Sequence, residues 1–461
     1  MANEQRSGRN ERPFRRREQS SMTILRTVLP GEEHRAALVG ALGVIGRDVG
    51  CRRNNHLIRF ADFGQIHFAR WSLLPPEREN GPWQLVFGTD HDGDDRALLW
   101  DLAERAMPAL EAVYAHCEGW PSARDPTAVV DYLYAGRVRY AARHIACRGR
   151  SVAELRQAVD DRRRMQECVD DVIRPGLGPC PAPSESEREA AHRTVARIAE
   201  HTGATLPPRR APWNWQLPVL VGAALLVAGW IVSRLSTEWR IGVLAALVGL
   251  VVAYILALRA QEKRDAAAWE PTPAPDLSHL ARLRGWEDQL IQNQMTHLVP
   301  VKGGRLRRGT LRVVFEAVDL LARFYWNRGD LGGIPSIHFA RWALVDGGRR
   351  LLFFSNFDGS WENYLGDFID RASVGLTGVW SNTEGFPPTS GLIGFKGGDG
   401  SRRASEFKNW TRRYQIETQV WYSAYPDVTV VNLLDALALC EGREVAADPP
   451  GDNATAWLQR L

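Results

Sequence analysis

The hexapeptide Ile-His-Phe-Ala-Arg-Trp stands twice in this chain of 461 residues, at 66–71 and at 337–342. Six identical residues that include His, Arg and Trp do not recur by chance at this length, so the chain is expected to carry a duplicated module. The flanking sequence agrees. In both copies an apolar strand leads to an Asp-Gly pair, Asp92-Gly93 and Asp358-Gly359. A long amphipathic segment then reaches a matching turn, Glu118-Gly119-Trp120-Pro121 and Glu384-Gly385-Phe386-Pro387. The repeated His precedes its Asp by 25 residues in the first copy (67 to 92) and by 20 in the second (338 to 358). The difference falls in the proline-bounded stretch 75–82, and insertions of this kind belong at hairpin tips.

Hydrophobic periodicity assigns the elements. In the second copy, 295–302 alternates as a strand, and 311–326 puts Leu311, Val314, Phe315, Val318, Ala322 and Tyr325 on one helical face. Strands at 336–345 and 350–357 meet through Asp346-Gly347-Gly348, a hairpin signal. A helix at 361–372, a strand at 414–424 and a helix at 430–439 complete the copy. The first copy reads the same way, with strands at 22–28, 65–74, 83–89 and 137–147 and helices at 32–45 and 96–114. Ser151 and Glu154 then form a capping box for a further helix. The order βαββαβ is the ferredoxin-like, split-βαβ arrangement, an α+β fold with both crossover helices on one face of an antiparallel sheet.

Strict alternation puts His338, Ala340, Trp342 and Leu344 on one side of the strand and Ile337, Phe339, Arg341 and Ala343 on the other. Neither side is wholly polar, so both faces of the sheet should be covered. With two copies in one chain, the expected partner of each sheet is the other sheet, giving an α/β barrel. Flexible linkers also allow this pairing between chains, in a homo-oligomer.

Between the copies, 215–235 and 239–258 are apolar runs of about twenty residues, the length that crosses a hydrocarbon core. Arg234 and Arg240 lie one residue inside the ends that meet the short connection, where they reach headgroups. Trp213, Trp215, Trp230 and Trp239 mark the interfaces. A two-helix transmembrane hairpin is expected, with both flanking modules on the same side. Arg209, Arg210, Arg259, Lys263 and Arg264 on those flanks make that side the cytoplasmic one, at a bacterial inner membrane. No Asp, Glu, His or Lys lies within the runs, which speaks against a proton or ion path. The expected organisation is therefore a basic tail at 1–21, a first module at 22–170, a linker at 171–212, the hairpin at 213–260, a second linker at 261–290, a second module at 291–445 and a tail at 446–461.

A formal net charge of +4 spread over this length, without a basic face interleaved with aromatics, argues against nucleic acid as a partner. The partners expected instead are the lipid bilayer and a small-molecule ligand. Cys51, Cys117, Cys147, Cys168, Cys180 and Cys440 form no CxxC pair and no zinc-like cluster, so reduced, mostly buried thiols are expected. The first 21 residues hold no apolar run and read as a solvated tail, not a signal peptide. P-loop, dinucleotide, nucleophile-elbow and HExxH motifs are absent.

On its duplicated βαββαβ order the chain resembles the dimeric α/β-barrel superfamily and, more loosely, the dye-decolourising haem peroxidases within it. Those enzymes carry GxxDG with a distal-side Asp. The matching stretches here are Thr89-Asp90-His91-Asp92-Gly93 and Ser355-Asn356-Phe357-Asp358-Gly359, with Thr or Ser in place of the leading Gly and no counterpart of the proximal His. The resemblance implies Asp92 and Asp358 as catalytic acids, with Arg70 and Arg341 stabilising charge during peroxide cleavage. It further implies haem as cofactor, with His67, His338 or His144 as axial ligand. A bland reading stands beside each assignment. The His satisfies buried backbone groups beside a Trp, the Arg pairs with the Asp to fix the module, and the Asp-Gly pair is a strand-to-helix turn with Asp as N-cap. Two functions are thus expected to compete, a membrane-anchored peroxidase-like oxidoreductase and a non-catalytic binding or scaffold protein.

Overall fold

The computed structural model describes residues 19–50, 57–173, 236–326, 329–389, 400 and 403–440, with 222–223, 226–227, 229–230 and 233–234 between them. It is a mixed α+β fold with two antiparallel sheets. In the first half, β1 (Gln19–Thr27), β2 (Ile66–Leu74) and β3 (Gln84–Asp92) alternate with helices α1 (Glu32–Gly50), α2 (Asp95–Arg105), α3 (Met107–Tyr114) and α4 (Pro126–Ala135). Strand β4 (Tyr140–Ile145) and helix α5 (Val152–Ile173) follow, and then α6 (Thr237–Ala267) and α7 (Leu277–Arg284). The second half contains β5 (Gln292–Pro300), α8 (Arg305–Phe324), β6 (Ile337–Val345), β7 (Arg350–Asp358), α9 (Trp361–Arg371), α10 (Ser373–Trp380), α11 (Ala404–Tyr414), β8 (Gln415–Ile416), β9 (Val420–Ser423) and α12 (Val430–Cys440).

The sheet orders are β1-β3-β2-β9 and β4-β6-β7-β5-β8, so each half lends its last strand to the other's sheet. Residues 136–138 first bond to the half they belong to, through Leu25 N–H to Gly136 O at 2.9 Å and Val138 N–H to Thr23 O at 2.8 Å. The same segment then continues as β4 along β6, pairing Arg143 with Arg341. The second half mirrors this: β8 bonds to β5, and β9 crosses to pair Arg70 with Trp421 on β2. Each end segment is thus hydrogen-bonded to both sheets, which satisfies strand edges that would otherwise be open to wrong partners.

Outside the sheets, the helices cover faces that the apolar residues dictate. Trp71 is fully buried, with its ring centroid 4.9 Å from that of Phe87. Trp342 stacks on Phe353 at 4.8 Å in the equivalent place. Each such aromatic contributes roughly 2–3 kcal/mol by leaving water. Asp94, Asp125 and Ser360 cap α2, α4 and α9 through their side-chain oxygens. The single helix expected at 96–114 is two. The chain breaks at Ala106, and Pro108, which lacks the N–H a continuing helix needs, opens α3. Helices α4 and α11 were not expected at all.

One register expectation fails. A β-bulge lies between Ile66 and Phe68 and another between Ile337 and Phe339, so strict alternation stops at each repeated His. Ile337, Ala340 and Trp342 share the helix-side core, whereas His338 packs near Phe68 and Tyr425. The hairpin tips meet at the opposite end of the molecule. There Arg349 pairs with Glu77 at 2.6 Å, and Gln84 donates to Asp346 at 3.0 Å.

Helix α6 is long and apolar enough to cross a membrane, and its apolar window is not buried by the rest of the chain. Most of the expected first span, 215–235, lies outside the described residues. Where the two runs approach, Arg240 donates to the Ser233 carbonyl. The far end of α6 is fixed to the second half: Asp265 bonds Lys302 at 3.0 Å and Arg307 at 2.6 Å, and Trp269 Nε1 donates to Gly385 O at 3.1 Å. Cys117, Cys147 and Cys440 are buried thiols, as expected.

Candidate functional site

Each repeated His meets the Asp of its own half. His67 Nε2 lies 3.0 Å from Asp92 Oδ1, and His338 Nε2 lies 2.7 Å from Asp358 Oδ1. The second carboxylate oxygen caps a distant helix. Asp92 Oδ2 accepts from Val152 N at 2.9 Å and Asp358 Oδ2 from Val430 N at 2.7 Å, at the first turns of α5 and α12. A carboxylate is favourable there because it faces unpaired N–H groups and the positive end of the helix. The Asp-Gly pair is therefore not the N-cap of the next helix, a role taken by Asp94 and Ser360. Gly93 and Gly359 lie at φ 86° and 78°, where a side chain would be strained.

The strands exchanged between halves cross at these His residues. Ala146 N–H donates to His338 O and Ala424 N–H to His67 O, both at 2.9 Å. Gln19 Nε2 bonds the carbonyls of Cys147 and Arg150, and Gln292 Nε2 those of Tyr425 and Val428. Nδ1 of His67 reaches Tyr425 Oη at 2.9 Å, a contact from the opposite half. Phe68 and Phe339 meet edge to face, with centroids 5.6 Å apart.

The two repeated Arg residues do not pair with Asp92 or Asp358. Each crosses the space between the sheets. Arg70 donates to Met295 O at 2.8 Å, Ser355 O at 3.0 Å and the Asn356 side-chain oxygen. Arg341 donates to Thr89 O at 3.0 Å and Asp90 Oδ1 at 2.6 Å. Asn356 stands where the first half has Asp90, so the two reaches are counterparts. Between the guanidiniums lies the Phe354 ring, 4.8 Å from Arg70 and 5.0 Å from Arg341, facing Gly88. Asp90 also accepts from Ser21 Oγ at 2.7 Å. Burial, and then the nearby Arg341 charge, push the Arg70 pKa down. Leu74, Val86, Leu298, Val345 and Leu352 fill the remaining space toward the hairpin ends.

His67 and His338 are at most 1% exposed, and each points Nε2 at a carboxylate. His144 is buried on β4; burial and the Arg148 charge push its pKa down to about 3, which keeps it neutral. The space between the sheets around these groups is filled by Phe68, Phe339, Tyr425, Phe354 and the two Arg side chains. As arranged, the residues present do not fit a haem. Among the described residues, no group of three or more His, Cys, Asp or Glu could hold a metal ion.

A cavity of about 250 Å³ lies elsewhere, between the far end of α6 and the second half. Its lining includes Glu262, Trp269, Lys302, Arg307, Ser381 and Thr389, and the buried Ser381 and Thr389 hydroxyls have no hydrogen-bond partner there. A smaller space of about 20 Å³, room for one water, adjoins His297. That imidazole is buried against Trp380 and Trp410, and burial pushes its pKa down to about 3.

Sequence reading missed Asp90, Asn356, Gly88, Phe354, Gln19 and Gln292. Aligning the two copies on Asp92 and Asp358 pairs Asp90 with Asn356 and Gly88 with Phe354, whereas Gln19 and Gln292 become counterparts only through their strand pairing with Asp92 and Asp358. Tyr425, supplied by the other half, gave no such signal. Comparison with known protein families, curated proteins and solved structures finds no match for this chain.

Proposed function

We propose that the chain is a membrane-anchored, non-catalytic binding or scaffold protein whose two ferredoxin-like halves close into one α/β barrel, with the repeated His, Arg and Asp holding that barrel together. The observation that carries this reading is the reciprocal crossing of Arg70 and Arg341, each donating to main-chain carbonyls of the opposite sheet. A guanidinium held this way is a strut, and a buried strut is expensive to lend to a substrate. The end segments bonded to both sheets support closure, since they leave each sheet continued by the other.

Helix α6 supplies the anchor, as the second pass of a hairpin with both halves cytoplasmic, in keeping with Arg259, Lys263 and Arg264 at its far end. The junction cavity, with partnerless hydroxyls and an exposed mouth, is the ligand pocket on this reading, in preference to the filled space between the sheets.

The test is direct. Detergent-purified protein supplemented with haem is expected to stay colourless and to turn over no peroxide. A Soret band lost in His338→Ala or His67→Ala, or peroxide turnover lost in Asp358→Asn with stability unchanged, would restore the oxidoreductase reading. Protease added to sealed right-side-out vesicles is expected to spare both halves, and digestion there would overturn the cytoplasmic placement.

A further inference from the structure

Helix α8 carries an exposed flank, and we propose that this flank lies on the membrane surface, with apolar side chains in the headgroup boundary and arginines on lipid phosphates. The proposal rests on the reading of α6 as a membrane anchor. Along α8, Phe315 and Leu311 face the sheet, while Val313 is 67% exposed, Leu320 40%, Leu321 41% and Tyr325 73%. Exposed apolar side chains gathered on one helix exceed the scattered singles of an ordinary surface.

Helical spacing groups them. Thr310, Val313, Ala317 and Leu321 follow each other at three and four residues and so share one side. Exposed Arg305, Arg308 and Arg312, again at three and four, lie along the neighbouring side with Glu316. An amphipathic helix with arginines beside an apolar stripe has the composition that lies in a membrane interface.

The anchor decides which surface this flank meets. Tyr254, near the end of the apolar part of α6, bonds Thr310 at 2.7 Å, on the side of α8 that carries Val313, Ala317 and Leu321. Arg307, one turn earlier, bonds Asp265. Eleven residues of α6 (254 to 265), roughly 16 Å, therefore correspond to three residues of α8 (307 to 310), roughly 5 Å. The two helices cross instead of running side by side. If α6 stands across the bilayer, α8 runs along its surface at the level of Tyr254, the depth at which interfacial tyrosines sit. The apolar flank is then continuous with the lipid-facing surface of α6, and the arginines reach phosphates of an anionic leaflet.

Full-length protein in nanodiscs of phosphatidylcholine and phosphatidylglycerol (3:1) containing a diazirine-tailed lipid tests this by photolabelling and peptide mapping. Label is expected on α6 at 241–256 and on α8 at 308–323. Label on α6 alone overturns the inference and leaves the anchor intact; label on neither overturns the anchor, and the inference with it. Cross-linking of α8 to protein in place of lipid assigns the flank to a protein partner and also overturns the inference. Arg308→Gln with Arg312→Gln is expected to lower the docked-to-undocked ratio of α8 by roughly fivefold per arginine, with α6 label unchanged. Val313→Asp, at a side chain the fold does not bury, is expected to lower it roughly tenfold. Undiminished α8 label in both variants would sink the proposal.

Discussion

The two halves share a frame and differ in what occupies it. On β3 the first half has Gly88 and Asp90, and at the equivalent places on β7 the second half has Phe354 and Asn356. The first half thus supplies a gap and the carboxylate, while the second supplies the ring that fills the gap and a neutral amide. Of the two buried guanidiniums only Arg341 bonds the buried Asp90 carboxylate; Arg70 bonds the Asn356 amide oxygen, and the Asn356 Nδ2 in turn donates to Asp90 Oδ2 at 3.4 Å. An exact repeat could not do this: two glycines would leave a void and two phenylalanines would collide. The repeated His, Arg and Asp are common to both halves, while the space between the sheets is divided unequally.

The most damaging way to break that pairing is Asp90→Asn, which takes the bonded carboxylate from buried Arg341 and the nearby negative charge from buried Arg70. It is expected to cost about 3–5 kcal/mol, read as a large loss in thermal or denaturant midpoint. The reciprocal exchange, Asp90→Asn with Asn356→Asp, moves the charge to the other half and is expected to recover most of the loss. No recovery would mean that the Asp90 position matters for its own sake and not for the charge it carries.

Gly88→Ala comes next. A Cβ there meets Arg341 Nη2 at 2.5 Å, Phe354 at 3.1 Å and Arg70 Cγ at 3.3 Å. Overpacking of about 1–3 kcal/mol is expected, and Phe354→Leu in the same chain should relieve part of it. Strict additivity would deny that the two positions share one space.

The helix-capping carboxylates compare more gently. Asp92→Asn and Asp358→Asn are each expected to cost about 1–2 kcal/mol through the caps of α5 and α12. The first should cost more, since His67 alone also holds a tyrosine from the opposite half. Hydrogen exchange at α5 and α12 separates them, and equal protection losses would count against the difference.

Acid should act unequally as well. Asp95 is partly buried, which works to raise its pKa, but the His91 imidazole 3.4 Å away, the Ser20 hydrogen bond and the Arg137 contact hold it well below the ordinary carboxylate range. A depressed folded pKa stabilises above about pH 4 and loses that contribution as pH falls through the folded value. At the equivalent place the second half has Trp361. Exchange at the start of α2 is therefore expected to rise below about pH 4 more than at the start of α9, and the reverse order would refute the assignment.

The smallest effect concerns His297, whose counterpart in the first half is Ile24. His297→Ile removes a buried imidazole that has no hydrogen-bond partner. It is expected to be neutral or to stabilise by about 1 kcal/mol. Clear destabilisation would indicate that the neighbouring space holds a water that the imidazole needs.

Much of this frame was legible in the sequence. The hexapeptide, the Asp-Gly pairs and the hairpin turn set the strands β1 to β3 and β5 to β7 close to their observed limits. Helix α4 also announced itself, by Asp125 as cap and Pro126 at the first turn. Helix α11 did so by Phe407, Trp410, Thr411 and Tyr414 at helical spacing. Both lie outside the simple βαββαβ count. The bulges were not legible, because an inserted residue in a strand leaves no mark on composition while reversing every side chain beyond it. Strict alternation puts His338 with Ala340 and Trp342 on one side, and the bulge separates them.

By itself the sequence determined the recurrence of the hexapeptide, most of the strands and helices and one apolar helix long enough to span a membrane, since periodicity and residue volume are local properties of the chain. Tertiary structure alone decided that β4 and β9 change sheets, that the repeated arginines reach across instead of pairing with Asp92 and Asp358, and that Asp92 and Asp358 cap helices about sixty or more residues away. The physical reason is that a strand edge, a guanidinium and a carboxylate each accept many partners of equal chemistry. Which partner is taken depends on what packing brings within 3 Å, and packing belongs to the whole fold.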